Sequence, residues 1–197
     1  MVLIATMFLY SLALSFSPGP VNMVIISSGV IHGFRKTFAF VSGATLGFTL
    51  LLIFVSFGVY TVIATHPQFF KYLNVLGSIF ILYQGYKIAT SHPDWSLKKE
   101  NAPGFVQGVL MQWLNPKAWA ACTSGTTLFS EPSTSLPLIL FIIIYFFICY
   151  ISLSIWAMFG DKMSIFLQGR TQIRIFNLLM GGFLCVIAFY MLYPQLF

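Results

Sequence analysis

Long runs of apolar side chains separated by short polar breaks divide the chain into six segments, at 1–31, 37–64, 69–89, 105–129, 136–159 and 175–193. About 20 helical residues cross a hydrocarbon core of roughly 30 Å, so each run predicts a transmembrane helix. The third is the shortest, with Lys71 and Lys87 near its ends. Both lysines can snorkel to opposite interfaces and extend the span. The first run has no Lys or Arg before it and no small-x-small cleavage pattern. It therefore reads as a retained first helix and not as a removable leader.

Two of the runs are interrupted. The first is 31 residues long, about 46 Å as a helix, which exceeds one perpendicular crossing. Ser17-Pro18-Gly19-Pro20 lies within it. Two prolines remove two N–H donors and cannot continue the ladder, so the helix must unwind there and restart at Pro20. In the fourth run the break is Asn115-Pro116-Lys117. Asn suits the N-cap and Pro the first helical position, which predicts a restart near the membrane midplane.

Three helices on each side of the polar stretch 90–104 make two halves, and an odd number inverts the second half in the membrane. The expected architecture is all-α: six transmembrane helices as two inverted three-helix repeats, the first helix of each broken at mid-membrane. Repeat one covers 1–89, a cytoplasmic linker 90–104 and repeat two 105–197, within a single transmembrane domain, 1–197. YLNVLGSIFILY in the third run and IFNLLMGGFLCVIAFY in the sixth give faint internal similarity.

Composition supports this class. Of 197 residues, 58% are hydrophobic and 7% charged, against roughly 25% charged in a soluble domain. Neither a soluble surface nor a disordered chain can be built from that supply. The net charge of +6 becomes a topology once it is placed along the chain. Arg35, Lys36, Lys87, Lys98, Lys99, Lys162, Arg170 and Arg174 fall on one side of six alternating helices, and Lys71 alone on the other. The positive-inside rule puts the former side in the cytoplasm and both termini outside. A nucleic-acid partner is unnecessary.

The tenth cation, Lys117, is the only charged residue between Asn101 and Ser130. A lysine at the centre of a membrane helix costs roughly 2.5–3.5 kcal/mol on insertion scales, so it should face a cavity, a partner or a substrate. Each restart leaves N–H groups at the positive end of a helix dipole, near Val21 and Asn22 and near Lys117 and Ala118. The stopped half-helices expose carbonyls around Phe16 and Leu114. Together these suit the carboxylate and ammonium of a zwitterion. Pro18, Gly19, Pro20, Asn22, Asn115, Pro116 and Lys117 are thus the candidate substrate-binding residues. Packing alternatives stand beside that reading: Lys117 anchored on freed carbonyls, Pro18 to Pro20 as a simple kink, and Asn22 and Asn115 as local caps.

Gly29/Gly33, Gly43/Gly47 and Gly104/Gly108 have GxxxG spacing, which in membranes marks close helix contact. Gln84, Asn74, Asn177 and Gln112 are polar groups in or near spans that should bond neighbouring helices. Trp113 and Trp119 flank the second break and either line a pocket or fill space. Cys122, Cys149 and Cys185 are scattered in apolar runs, and His32, His66 and His92 fall in polar breaks. No disulfide framework, metal site or cofactor is expected. Asp94, Glu100, Glu131 and Asp161 lie in breaks, which leaves no intramembrane carboxylate for a divalent cation. HExxH, GxSxG and an intramembrane acid pair are all absent, so an enzyme is not expected.

SPGPVN, HGFRKTFAF, LNVLGSIFILYQGYKIATS and WLNPKAW, in this order along almost the whole chain, resemble the LysE/RhtB family of amino-acid exporters. The resemblance is closest to the RhtB branch, exporters of homoserine, threonine, cysteine, O-acetylserine or neutral branched residues. Members often carry Asn directly after PGP, where this chain has Val21 and then Asn22. The resemblance implies export of small neutral amino acids from the bacterial cytoplasm across the inner membrane, driven by the proton motive force. It points to Pro18, Gly19 and Pro20 as one signature and Asn115, Pro116 and Lys117 as the other. Lys117 would then pair with the substrate carboxylate or exchange a proton as substrate leaves. The expected partners are an amino-acid substrate and the lipid bilayer, and a homodimer is compatible with the chain. The alternative is a membrane assembly or packing subunit without transport activity.

Overall fold

The computed structural model describes residues 2–59, 67–91, 102–167 and 169–196. It is all-helical over them, with eight α-helices: α1 Val2–Phe16, α2 Pro20–His32, α3 Phe34–Phe54, α4 Pro67–Ala89, α5 Phe105–Trp113, α6 Pro116–Phe129, α7 Leu136–Met163 and α8 Arg170–Leu196. A π-helical turn, Val55–Val59, continues α3. His66, His92, Asp94, Lys98, Lys99 and Glu100, and most of the expected linker 90–104, lie outside the described residues.

The six apolar runs each correspond to one helix or one broken pair, with shifted ends. The third run begins at Pro67, the fifth continues to Met163 and the sixth begins at Arg170. Amphipathic ends carry polar residues that a hydropathy pattern trims away. Asp161 consequently sits in the last turn of α7 and not in a break. Among the described residues three helices, Phe34–Gly58, Leu136–Met163 and Arg170–Tyr193, are long and apolar enough to cross a bilayer. Helices α1 and α2, bent by 60° at their break, form a fourth candidate. Helix α4 and the α5–α6 pair are not among these candidates. The chain is a multi-pass membrane protein.

Helix α2 is the hub. Every residue from Pro20 to Val30 is buried, although the helix includes Asn22, Ser27 and Ser28. A helix enclosed on all sides needs apolar surroundings everywhere, and α2 has them from α3, α4, α5, α7 and α8. Its exit is tight. Gly33 alone joins α2 to α3, at φ 79°, a left-handed conformation that a Cβ disfavours.

Small residues set the three principal seams. On α2 and α7, Gly29 and Gly160 face each other, and a Cβ on Gly29 would lie 2.7 Å from the Ala157 carbonyl oxygen. On α3 and α5, Gly43 abuts the Phe105 carbonyl, Gly47 lies against Val109, and Gly108 abuts the Phe40 carbonyl. On α4 and α8, Gly85 and Gly181 meet through their backbones. Without a hydrophobic drive between helices in lipid, such backbone contact is what holds them together. Gly104 is a correction to the packing expectation. A Cβ there would meet nothing within 4 Å. The residue is instead the N-cap of α5, its N–H donating to Gln107 Oε1 at 2.9 Å.

Candidate functional site

The two breaks meet. Helix α1 ends at Phe16 because Pro18 and Pro20 cannot donate, and α2 restarts with Pro20 in its first turn after an extended Gly19. Helix α5 stops at Trp113, and α6 restarts after Asn115, whose Oδ1 accepts from the Lys117 N–H at 3.1 Å. That cap leaves Lys117 in the first turn of α6. Its ammonium donates to the Ser17 carbonyl oxygen at 3.0 Å, to Ser17 Oγ at 2.5 Å and to the Pro18 carbonyl oxygen at 3.4 Å. All three donors of the ammonium are therefore spent on the other break. No carboxylate lies within ion-pair distance of it among the described residues.

Asn22 closes the first break from the other side. Its Nδ2 donates to the Ser15 carbonyl at 3.2 Å and the Ser17 carbonyl at 3.1 Å. The carbonyls orphaned at the end of α1 are thus satisfied by a lysine and an asparagine, as backbone at membrane depth requires. The Val21 and Asn22 N–H groups at the start of α2 receive no side-chain cap, because Gly19 has none to offer. The same glycine makes room for the lysine: a Cβ on it would stand 3.2 Å from Lys117 Nζ.

Around this clasp lies a recess of about 420 Å³ of atom-free space, its open mouth included. Gly19, Val21, Asn22, Asn115 and Lys117 line it, together with Ser15, Gln112, Tyr145, Cys149, Phe48 and Leu153. Pro18, Pro20 and Pro116 shape the breaks but are not among the lining residues. Ser15 is buried at the wall of the recess, beside the Tyr145 hydroxyl and the Cys149 thiol.

A second contact ties α1 to α6. The Tyr10 hydroxyl donates to the Ala121 carbonyl at 2.9 Å and pairs with Ser124 Oγ at 2.6 Å. With Lys117 on Ser17, the two helices are joined at the breaks and again at mid-helix, in antiparallel register. Gly77 of α4 touches the second break directly, its Cα abutting the Leu114 carbonyl, and a Cβ would stand 3.2 Å from Pro116 Cδ. Trp113 and Trp119 do not line the recess. Trp119 Nε1 donates to the Trp113 carbonyl at 2.7 Å and Trp113 Nε1 to the Gly47 carbonyl at 3.1 Å, so they pack and seal the end of α5.

Ser15, Ser17, Gly77, Tyr145 and Cys149 were not anticipated as site residues. Tyr145, Cys149 and Ser152 recur at helical spacing within α7, a stripe that periodicity could have exposed. Nothing comparable marks Gly77. Cys122, Cys149 and Cys185 are free, and no cluster of metal-ligating side chains occurs among the described residues.

Comparison with known proteins extends over almost the entire chain. A description of the LysE type translocator family matches residues 12–195. The chain is similar to a cysteine/O-acetylserine efflux protein of Salmonella typhi, 26% identical over 133 residues and 68% of each chain. The Klebsiella pneumoniae protein of the same name is 25% identical over 135 residues, 68% of this chain and 69% of its own length. That of Shigella flexneri is 25% identical over 133 residues, 68% of each. No solved structure matches. With a family match running through both helix breaks and every apolar run, the chain belongs to the LysE type translocators.

Proposed function

We propose that the protein is a secondary exporter of small neutral, zwitterionic amino acids or their derivatives, moving them out of the bacterial cytoplasm across the inner membrane by alternating access. The observation that carries this reading is the clasp between the breaks: Lys117 of one reaching Ser17 and Pro18 of the other beside an open recess. The substrate carboxylate takes the uncapped N–H groups of Val21 and Asn22 and draws the Lys117 ammonium away from Ser17 and Pro18. The substrate ammonium is accepted by the carbonyls so released. Binding therefore loosens the tie between α1 and α6, which links occupancy to movement of one half against the other.

The architecture proposed with it is six membrane crossings in two inverted repeats, 1–89 and 105–197, joined through 90–104 on the cytoplasmic side, both termini outside. The seams support it. Exchanging the halves turns the α1–α7 pair into the α5–α3 pair and the α2–α7 pair into the α6–α3 pair, and returns α4–α8 to itself, as a twofold relation demands. Coupling to the proton motive force goes with this reading. The described acids, Glu131 and Asp161, lie in the α6–α7 connection and in the last turn of α7, so Lys117 is the proton carrier it nominates.

The names of the relatives suggest the first cargo to try. Purified protein in vesicles loaded with labelled cysteine or O-acetylserine should release it, and Lys117→Met and Lys117→Gln, inserted at normal levels, should not. Efflux from both variants at the wild-type rate removes Lys117 from the mechanism. No flux of any zwitterion from wild type removes the function and leaves the assembly subunit.

A further inference from the structure

A second recess lies further along α2, with about 470 Å³ of atom-free space including its mouth. It is bounded by the C-terminal ends of α2 and α4 and the first turn of α5, and Ser27, Ser28, His32, Gln84, Lys87 and Gln107 line it. Val24, Ile31, Ile88 and Pro103 supply apolar surface beside these polar groups. Ser27 is 1% exposed and its Oγ has no hydrogen-bond partner. Gln84 is also buried, at 5% exposure, with its side chain on the recess. Burying the Ser27 hydroxyl without a partner costs stability that simple packing does not repay.

The chemistry is specific. Lys87 supplies a cation, the start of α5 adds the positive end of a helix dipole, and among the described residues no acidic side chain lines the recess. Lys87 and the α5 end favour a carboxylate, and the C-terminal ends of α2 and α4, the negative ends of their dipoles, favour an ammonium. The Gln84 and Ser27 oxygens are acceptors for an ammonium. From Asn22 at the central recess to Ser27 here is five residues of one helix, about 8 Å, on a helix buried from end to end. All three helix ends around the recess lie on the side that the basic residues assign to the cytoplasm.

We infer that this recess is a loading site, where an amino acid from the cytoplasm binds through Lys87, Gln84 and Ser27 before it moves along α2 to the central recess. The inference rests on the export reading above, in direction and in cargo class.

Equilibrium binding of ³⁵S-labelled L-cysteine, under reductant, to the purified full-length protein tests it. Wild type should take up a second equivalent beyond the one at the central recess. Lys117→Gln should keep that second equivalent, Lys87→Gln and Gln84→Leu should each lose it, and Lys87→Arg should retain it. A single equivalent that vanishes in Lys117→Gln and persists in Lys87→Gln overturns the loading site and leaves the central one standing. That result is also expected if the recess seats a lipid phosphate. A single equivalent that persists in Lys117→Gln and vanishes in Lys87→Gln supports the loading site and overturns the central one. No binding at all overturns both, as two equivalents indifferent to Lys87→Gln and Gln84→Leu overturn the loading site.

Discussion

The Ser17 carbonyl oxygen and the Lys117 ammonium, 100 residues apart in sequence, lie 3.0 Å apart in the fold. The same carbonyl accepts from Asn22 Nδ2 at 3.1 Å. One oxygen, freed because Pro18 and Pro20 end the ladder, therefore gathers donors from both breaks. The lysine here is not exposed, and among the described residues it has no carboxylate partner. It is held by groups that a substrate would have to displace, which makes the bond a natural point of control.

Removing the hydroxyl separates the two roles of this contact. Ser17→Ala keeps the carbonyl acceptor and loses Oγ, so it should lower the midpoint of thermal unfolding in detergent by an amount equivalent to about 1 kcal/mol, with export retained. Lys117→Met leaves the Ser17 and Pro18 carbonyls short of a donor and should lose export. A double substitution that costs the sum of the two singles would show that the residues do not interact.

Gly77→Ala should damage the second break without touching the recess. The added Cβ runs into the Leu114 carbonyl and stands 3.2 Å from Pro116 Cδ, backbone and ring that cannot rotate away. A loss of roughly 1–3 kcal/mol is expected for such overpacking, with export falling in parallel. Wild-type export and melting from this variant would contradict the described seat of α4 on the break.

Two glycines of one GxxxG pair should part company. Gly108→Ser places atoms into the Phe40 carbonyl, whereas Gly104→Ser meets open space and brings a better N-cap to α5. Membrane insertion and monodispersity on gel filtration should be lost in the first and kept in the second.

Tyr145 and Ser15 should set which side chain the central recess prefers. Tyr145→Phe removes the hydroxyl beside Ser15 and should reduce kcat/KM for hydroxyl- or thiol-bearing amino acids about tenfold relative to alanine. Competition between labelled cysteine and unlabelled alanine for vesicle efflux reads this ratio.

Orientation is open to direct labelling. With the native cysteines free and buried or half-buried, Ser133→Cys in the α6–α7 connection should react with an impermeant maleimide in intact cells. Arg35→Cys at the start of α3 should react only after permeabilisation. The reverse pattern would invert the assignment of the basic residues.

Apolar runs and proline positions, read along the chain, were enough to establish a multi-pass helical protein, two breaks and an isolated cation at Lys117. Those features are local: a run of apolar residues cannot be solvated, and a proline lacks its N–H wherever it falls. The sequence also offered Asn115 and Pro116 as cap and first residue of a restarted helix. Tertiary structure decided what the breaks do to one another. That Lys117 would land on Ser17, that Gly77 would bear on Leu114, and that Tyr145 and Cys149 would face the clasp all depend on how separate helices cross. Crossing is set by backbone contacts at Gly29, Gly43, Gly85, Gly108, Gly160 and Gly181. GxxxG spacing located some of those glycines but wrongly included Gly104, because spacing reports which residues share a helix face and not what that face meets.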